Sequence, residues 1–176
     1  MNNIIAAVRS REELLAATKS GAGVIFHLAP DIIGLESDTK TVHSAGKKMF
    51  IHIDLAEGIG KDKHGVQFSK NCGVDGIIST RNNMIRIAKD LGLFTVQRFF
   101  IVDSHSVDTT VESLKVSKAD MIEIMPGVAP KIIEQIKEKV EVPIIAGGLI
   151  DSICEVEKAI SCGASAISTG SSALWN

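Results

Sequence analysis

A closed parallel (β/α)8 barrel of the TIM type is the fold class the sequence predicts, and three observations predict it. Short apolar runs alternate with longer segments of helical spacing along the whole chain, the pattern of parallel strands joined by crossover helices. A Gly-x-x-apolar-Ile outline recurs at 21–25, 73–78, 119–122 and 163–167, at intervals of roughly 44 to 52 residues, so a strand-helix-strand-helix unit is repeated four times. The competing open doubly wound sheet would carry Gly-x-Gly-x-x-Gly after its first strand, and that motif is missing.

The elements follow in order. Residues 4–8 form the first apolar run, and Ser10 ahead of Arg11-Glu12-Glu13 reads as a helix N-cap with acids in the first turn. Residues 23–28 are the second strand, followed by a less regular segment over 30–45 that Gly46 closes. The third strand is expected over 48–54, then a glycine loop at 55–60 and a helix at 66–72. Strands at 75–79, 93–102 and 120–125 alternate with helices at 82–91, 104–116 and 130–139. The last two strands, 143–146 and 164–168, each run into a turn of glycine and small hydroxyl residues that is expected to open a helix. Eight units in 176 residues leave about 22 residues each, against ~250 for a typical barrel, so loops must be short and the last helix, 171–176, is barely begun.

One domain spanning 1–176 is the simplest organisation for this length. An apolar fraction of 45% with 23% charged residues is that of a globular chain, and no apolar run approaches the ~20 residues of a membrane span. The start Met1-Asn2-Asn3 lacks the regions of a signal peptide, so a cytoplasmic location without membrane partners is expected. Cys72, Cys154 and Cys162 have no CxxC spacing, which fits reduced thiols rather than a disulfide frame or a zinc site. With a formal charge of −2, any nucleic-acid contact must use a local patch. Homo-oligomerisation is compatible with the sequence.

Ligand sites of such barrels lie at the C-terminal ends of the strands. The turns Gly147-Gly148 and Ser168-Thr169-Gly170-Ser171 would close on an anion, because glycine lets backbone N–H groups approach a ligand and helix starts leave donors unpaired. His52, Asp54, Gln97, Arg98 and Glu123 place polar groups in strands expected to be buried, which is costly unless they are paired or face a site. Arg98 is read as holding a charge or bridging Glu123 and Asp54, with the carboxylates accepting bonds from ligand hydroxyls. A structural Arg-Glu-Asp network is the bland alternative. Asp103 reads equally as a helix cap or a ligand contact, and His27 as a histidine satisfied at a strand end. No lysine sits mid-strand for a Schiff base and no histidine pair has metal spacing, so neither cofactor nor metal is expected.

The ordered set His52-x-Asp54-Leu55, Asp75-Gly76-Ile77-Ile78-Ser79-Thr80, Thr95-Val96-Gln97-Arg98-Phe99, Asp103-Ser104, Ile122-Glu123-Ile124-Met125-Pro126-Gly127, Pro143-Ile144-Ile145-Ala146-Gly147-Gly148-Leu149-Ile150 and Ala166-Ile167-Ser168-Thr169 closely resembles the glycerol-uptake operon antiterminator family. The match runs through nearly the whole chain. The resemblance implies a regulator: a barrel that binds glycerol 3-phosphate and acts on leader mRNA so that transcription passes a terminator. Basic candidates for the RNA surface are Lys47, Lys48, Lys61 and Lys63, with Arg9, Arg11, Arg81 and Arg86 also scattered along the chain. The loop at 55–64, with glycines at 58 and 60, is the expected ligand-responsive element. The reading from a different class is an isomerase, aldolase or synthase on a small phosphorylated substrate, with His52 or Glu123 beside Asp54 as acid and base.

Overall fold

The computed structural model describes residues 3–176. Eight parallel strands close in sequence order into a barrel: β1 (Ile4–Val8), β2 (Val24–His27), β3 (Lys48–His52), β4 (Gly76–Ser79), β5 (Phe94–Phe100), β6 (Met121–Met125), β7 (Ile144–Gly147) and β8 (Ala166–Thr169). Seven helices cover it: α1 (Arg11–Thr18), α2 (Leu35–Ser44), α3 (Lys63–Asn71), α4 (Asn82–Asp90), α5 (Ser104–Ser117), α6 (Pro130–Lys137) and α7 (Ile153–Ser161). Closure is made by β8 pairing with β1, where Ala6 stands opposite Thr169. Because strands run up and helices run back down, every helix N-terminus lies at the end where the strands finish.

Side chains alternate between the barrel interior and the layer beneath the helices. Ile5, Ala7, Phe26, Leu28, Ile78, Val96 and Ile145 fill the interior, with Phe50 packed on them. Ile25, Met49, Ile51, Ile77, Ile122, Ile124 and Ile167 point the other way and join the helices in two outer clusters. Gly76 makes the interior possible: a Cβ there would sit 2.2 Å from the Phe50 ring, so only glycine leaves Phe50 room inside. Phe50 in turn lies 5.5 Å from the Phe26 ring centroid and 5.7 Å from that of Phe94. The lower interior is therefore apolar, and the polar residues of the same faces, His52, Arg98, Glu123 and Ser168, collect towards the C-terminal mouth.

Most element boundaries shift by a residue or two from the sequence expectation, as where β5 ends at Phe100 and α6 at Lys137, and three differences have a clear local cause or consequence. β3 stops at His52, and Ile53–Leu55 turns as a single 3-10 unit that takes Asp54 out of the strand. α3 begins at Lys63, three residues early, because Asp62 caps it by accepting from the Gly65 N–H at 2.9 Å. After β8 the chain makes only a 3-10 turn, Ser172–Leu174, in place of a helix.

Candidate functional site

The C-terminal mouth holds a cavity of about 540 Å³. Its floor is Arg98 and Glu123, neighbours in the β5–β6 register, both pointing inward because Val96 and the rest of their face do. Arg98 Nε donates to Glu123 Oε2 at 2.6 Å, and the two side chains are only 5% and 1% exposed. A buried ion pair recovers its desolvation cost only when its remaining polar atoms are also satisfied. Here Nε alone is spent on Glu123, which leaves the terminal guanidinium nitrogens and Glu123 Oε1 for an occupant of the cavity.

Gly148, Ser168 and Gly170 form one side of the cavity, joined by Arg9 from the end of β1. Among the described residues, the N–H groups of Gly148, Leu149 and Gly170 and the Ser168 hydroxyl have no protein hydrogen-bond partner. Unpaired backbone donors in a cavity that Arg9 and Arg98 also line are chemically suited to a small anion. The turn that presents them is unusual. Gly148 and Leu149 both have positive φ, +76° and +62°, and the second is a leucine. Gly147 has a different part: a Cβ on it would lie 2.4 Å from Glu123 Oε1, so its missing side chain is the space the glutamate occupies.

His52 faces inward near Arg98, buried, with Nδ1 unpartnered and 4.0 Å from Asp54 Oδ2. Burial, reinforced by the Arg98 charge and opposed by Asp54, pulls its pKa down to about 4, so it stands neutral, and it is not among the residues that line the cavity. His27, in contrast, points outward from β2 towards Asp38 of α2 at 3.8 Å. Its Nδ1 also lacks a partner, so it is less satisfied than a routine strand-end histidine, and burial lowers its pKa.

Several residues expected in the site are placed elsewhere, each for a geometric reason. Asp54 is spent on the end of β4: it accepts from Ser79 Oγ at 2.7 Å and from the Thr80 N–H and Oγ1 at 2.7 and 3.0 Å. Gln97 lies between two inward residues and so points out, donating to Asn82 and accepting from Ser117 beneath α4 and α5. Asp103 caps α5, accepting from the Ser106 N–H and hydroxyl at 2.8 Å. Thr169 also turns outward, donating to Ile150 O at 2.6 Å and accepting from the Ser171 N–H at 3.0 Å, which commits the Thr169 hydroxyl and the Ser171 N–H within the protein. The N-terminus of α7 is already filled by a carboxylate, since Glu155 accepts from the N–H groups of Asp151 and Ser152 at 3.0 and 3.1 Å.

The basic candidates divide between the two ends of the barrel. Lys47 and Lys48 lie at the start of β3, opposite the cavity, where Lys47 donates to the Ser20 and Ala22 carbonyls and Lys48 pairs with Asp75 at 2.8 Å. Lys61 lies on the cavity side but is turned onto its own loop, donating to Ile59 O at 2.9 Å and to Ala56 O. Lys63 stands exposed in the first turn of α3. The glycine loop itself is stitched to the β2–α2 connection by Glu57 N to Pro30 O at 2.8 Å and Ile32 N to Glu57 O at 2.9 Å. Sequence reasoning gave Arg9 no ligand role, although its place one residue past β1 and β1's position beside β8 put it at the mouth.

These features define a compact (β/α)8 barrel with a basic pocket at the C-terminal ends of its strands. Residues 4–175 match the family model described as glycerol-3-phosphate responsive antiterminator, and the chain belongs to that family. It is 38% identical to the uncharacterized protein YgcP of Escherichia coli (strain K12) over 175 residues, 99% of this chain and 92% of that one. The crystal structure of the glycerol uptake operon antiterminator regulatory protein from Listeria monocytogenes superposes with a TM-score of 0.93 at 31% identity, covering 98% of this chain and 94% of that chain. A glycerol uptake operon antiterminator-related protein from Thermotoga maritima gives 0.88 at 31% identity, covering 99% and 98%.

Proposed function

We propose that this protein is a glycerol 3-phosphate sensor that, when loaded, binds leader mRNA and lets transcription pass a terminator. One observation carries the ligand half: a family member's barrel mouth in which unpaired donors at Gly148, Ser168 and Gly170, with Arg9, stand beside an Arg98–Glu123 floor. The phosphate would take the unpaired donors and a guanidinium, and the glycerol hydroxyls would meet Glu123 Oε1 and Arg98. Of the basic residues singled out in the sequence, Lys63 fits the RNA half best, and exposed Arg81 and Lys131 open helices on the same end. A polyanion is drawn there by those charges and by the helix N-termini they accompany.

Calorimetry of the full chain with glycerol 3-phosphate, glycerol and inorganic phosphate tests the sensor. Glycerol 3-phosphate should bind, and silence with all three refutes it. Filter binding of the cognate leader should tighten with the ligand and weaken steeply with salt, because phosphate contacts release counterions. An enzymatic reading keeps one observation in its favour, the neutral His52 beside Asp54. No lysine stands among the residues that line the cavity, so a Schiff-base route would need another nucleophile. Turnover of triose or pentose phosphates that is abolished by Glu123→Gln would favour the enzyme.

A further inference from the structure

The cavity also has an apolar part that the proposed placement of glycerol 3-phosphate leaves unused. Besides the unpaired donors and the ion pair, the side chains of Leu28, Phe100, Met125, Pro126 and Leu149 line it with apolar surface. Phe100 is 57% exposed and Leu149 76% exposed, although neighbouring strand-end residues of the interior are buried. Leu149 holds its place at φ +62°, a conformation that glycine or asparagine adopts readily and a leucine does not. The chain thus presents a leucyl side chain at the mouth from a backbone position that disfavours it.

Size points the same way. Glycerol 3-phosphate has about ten non-hydrogen atoms, and even at the roughly 30 Å³ that a water molecule takes in the liquid it fills no more than about 300 Å³. The cavity offers about 540 Å³, within the range that accepts larger ligands, and such pockets combine an apolar lining with a few placed polar groups. In the proposed placement, with the phosphate on the unpaired donors and the hydroxyls on the Arg98–Glu123 floor, glycerol 3-phosphate would not fill the part of the cavity lined by Phe100 and Pro126.

We propose that this apolar wall is a subsite of the same pocket, and that the ligand class is phosphomonoesters carrying an apolar or planar group beyond the part that meets Arg98 and Glu123. The proposal rests on the phosphate-sensor reading and narrows it. Phe100 offers a ring face to a planar group, and Leu149 and Pro126 close the sides around an alkyl one. Phe100 is exposed, so its replacement removes ligand contacts without opening the core.

The test is calorimetry with glycerol 3-phosphate, glycerol 3-phosphate carrying a butanoyl ester, and phenyl phosphate with inorganic phosphate as its reference. The butanoyl ester should bind at least tenfold more tightly than glycerol 3-phosphate, and phenyl phosphate more tightly than inorganic phosphate. Phe100→Ala should remove most of that advantage and Phe100→Leu only part of it, each changing glycerol 3-phosphate affinity less than twofold, with thermal melts to verify folding. If glycerol 3-phosphate binds and both apolar esters bind no better than their references, the subsite is overturned and the sensor reading stands. An advantage that survives both substitutions also overturns it, because the apolar contact would lie elsewhere. If no phosphorylated compound binds, the sensor reading falls and takes the subsite with it.

Discussion

Adding one methyl group at Gly147 tests whether the buried Arg98–Glu123 pair is held by its surroundings. Gly147 does not occupy the positive-φ region, so alanine can follow the same backbone, and the effect comes from contact alone. The new Cβ would stand 2.4 Å from Glu123 Oε1, 3.1 Å from Cδ and 3.2 Å from Cγ, against an ordinary contact of 3.4 Å or more. The carboxylate must therefore retreat by about 1 Å. It is 1% exposed and anchored to Arg98 at 2.6 Å, so any retreat, including one into the cavity it lines, stretches or twists the ion pair. Overpacking of this kind costs typically 1–3 kcal/mol, and outright loss of a buried pair about 3–5 kcal/mol. We expect a loss of about 2–3 kcal/mol in urea unfolding followed by circular dichroism, together with at least a tenfold loss of glycerol 3-phosphate affinity. Gly170→Ala is the control, since its Cβ would meet only Ala7 O at 3.7 Å, and its stability should change by less than about 0.5 kcal/mol. Equal stability of the two variants would refute the reasoning, because Glu123 would then be free to move aside.

Glu123→Ala should cost about 3–5 kcal/mol by stranding Arg98, and combining it with Arg98→Met should recover most of that in the same unfolding assay. Asp54→Asn removes a carboxylate that holds the end of β4; a loss of about 1–3 kcal/mol is expected, with glycerol 3-phosphate affinity changed less than threefold, since Asp54 binds Ser79 and Thr80. His52 should make stability fall with acid. Its native pKa, lowered by burial and by Arg98 to about 4, lies below the unfolded value of 6.5, so the unfolded chain takes up the proton first as pH falls. Stability is full above about pH 6.5, declines towards pH 4 by up to about 3 kcal/mol, and gains no further His52 contribution below that. His52→Gln should flatten this part of the curve, leaving a residual slope from His27, whose pKa burial also lowers.

Much of the fold was legible in the sequence because it is written in local periodicity. Alternating apolar runs, the fourfold recurrence and the Ser10 cap all survive in the barrel, and the apolar pattern places Ile25, Met49 and Ile77 under the helices without tertiary information. Errors collected where short-range competition decides the outcome. Asp62 captured the start of α3, and the 3-10 turn after His52 ended β3 early, neither of which hydrophobic periodicity registers.

The site was half legible. Residue type and strand position were enough to mark Arg98 and Glu123, since a charged group in a buried strand requires a partner or a ligand. One-residue parity decided the rest: Gln97 and Thr169 sit beside inward residues and therefore face the helices. Asp54 and Asp103 were chemically apt for a ligand but were taken by backbone donors nearer to hand.

The sequence alone determined that eight strands would close a barrel and that its last two turns would be rich in small residues, because these are properties of periodicity and residue type. Local bonds decided which donors in those turns stay unpaired, and tertiary structure alone decided what those donors face. Glu155 fills the N-terminus of α7, Thr169 ties up Ser171, and Gly147 yields its space to Glu123, leaving Gly148, Ser168 and Gly170 facing Arg9 across the closure of β8 on β1. The bonds of Glu155 and Thr169 are local, whereas the space that Gly147 yields to Glu123 and the place of Arg9 beside β8 join segments distant in sequence and exist only once the barrel has closed.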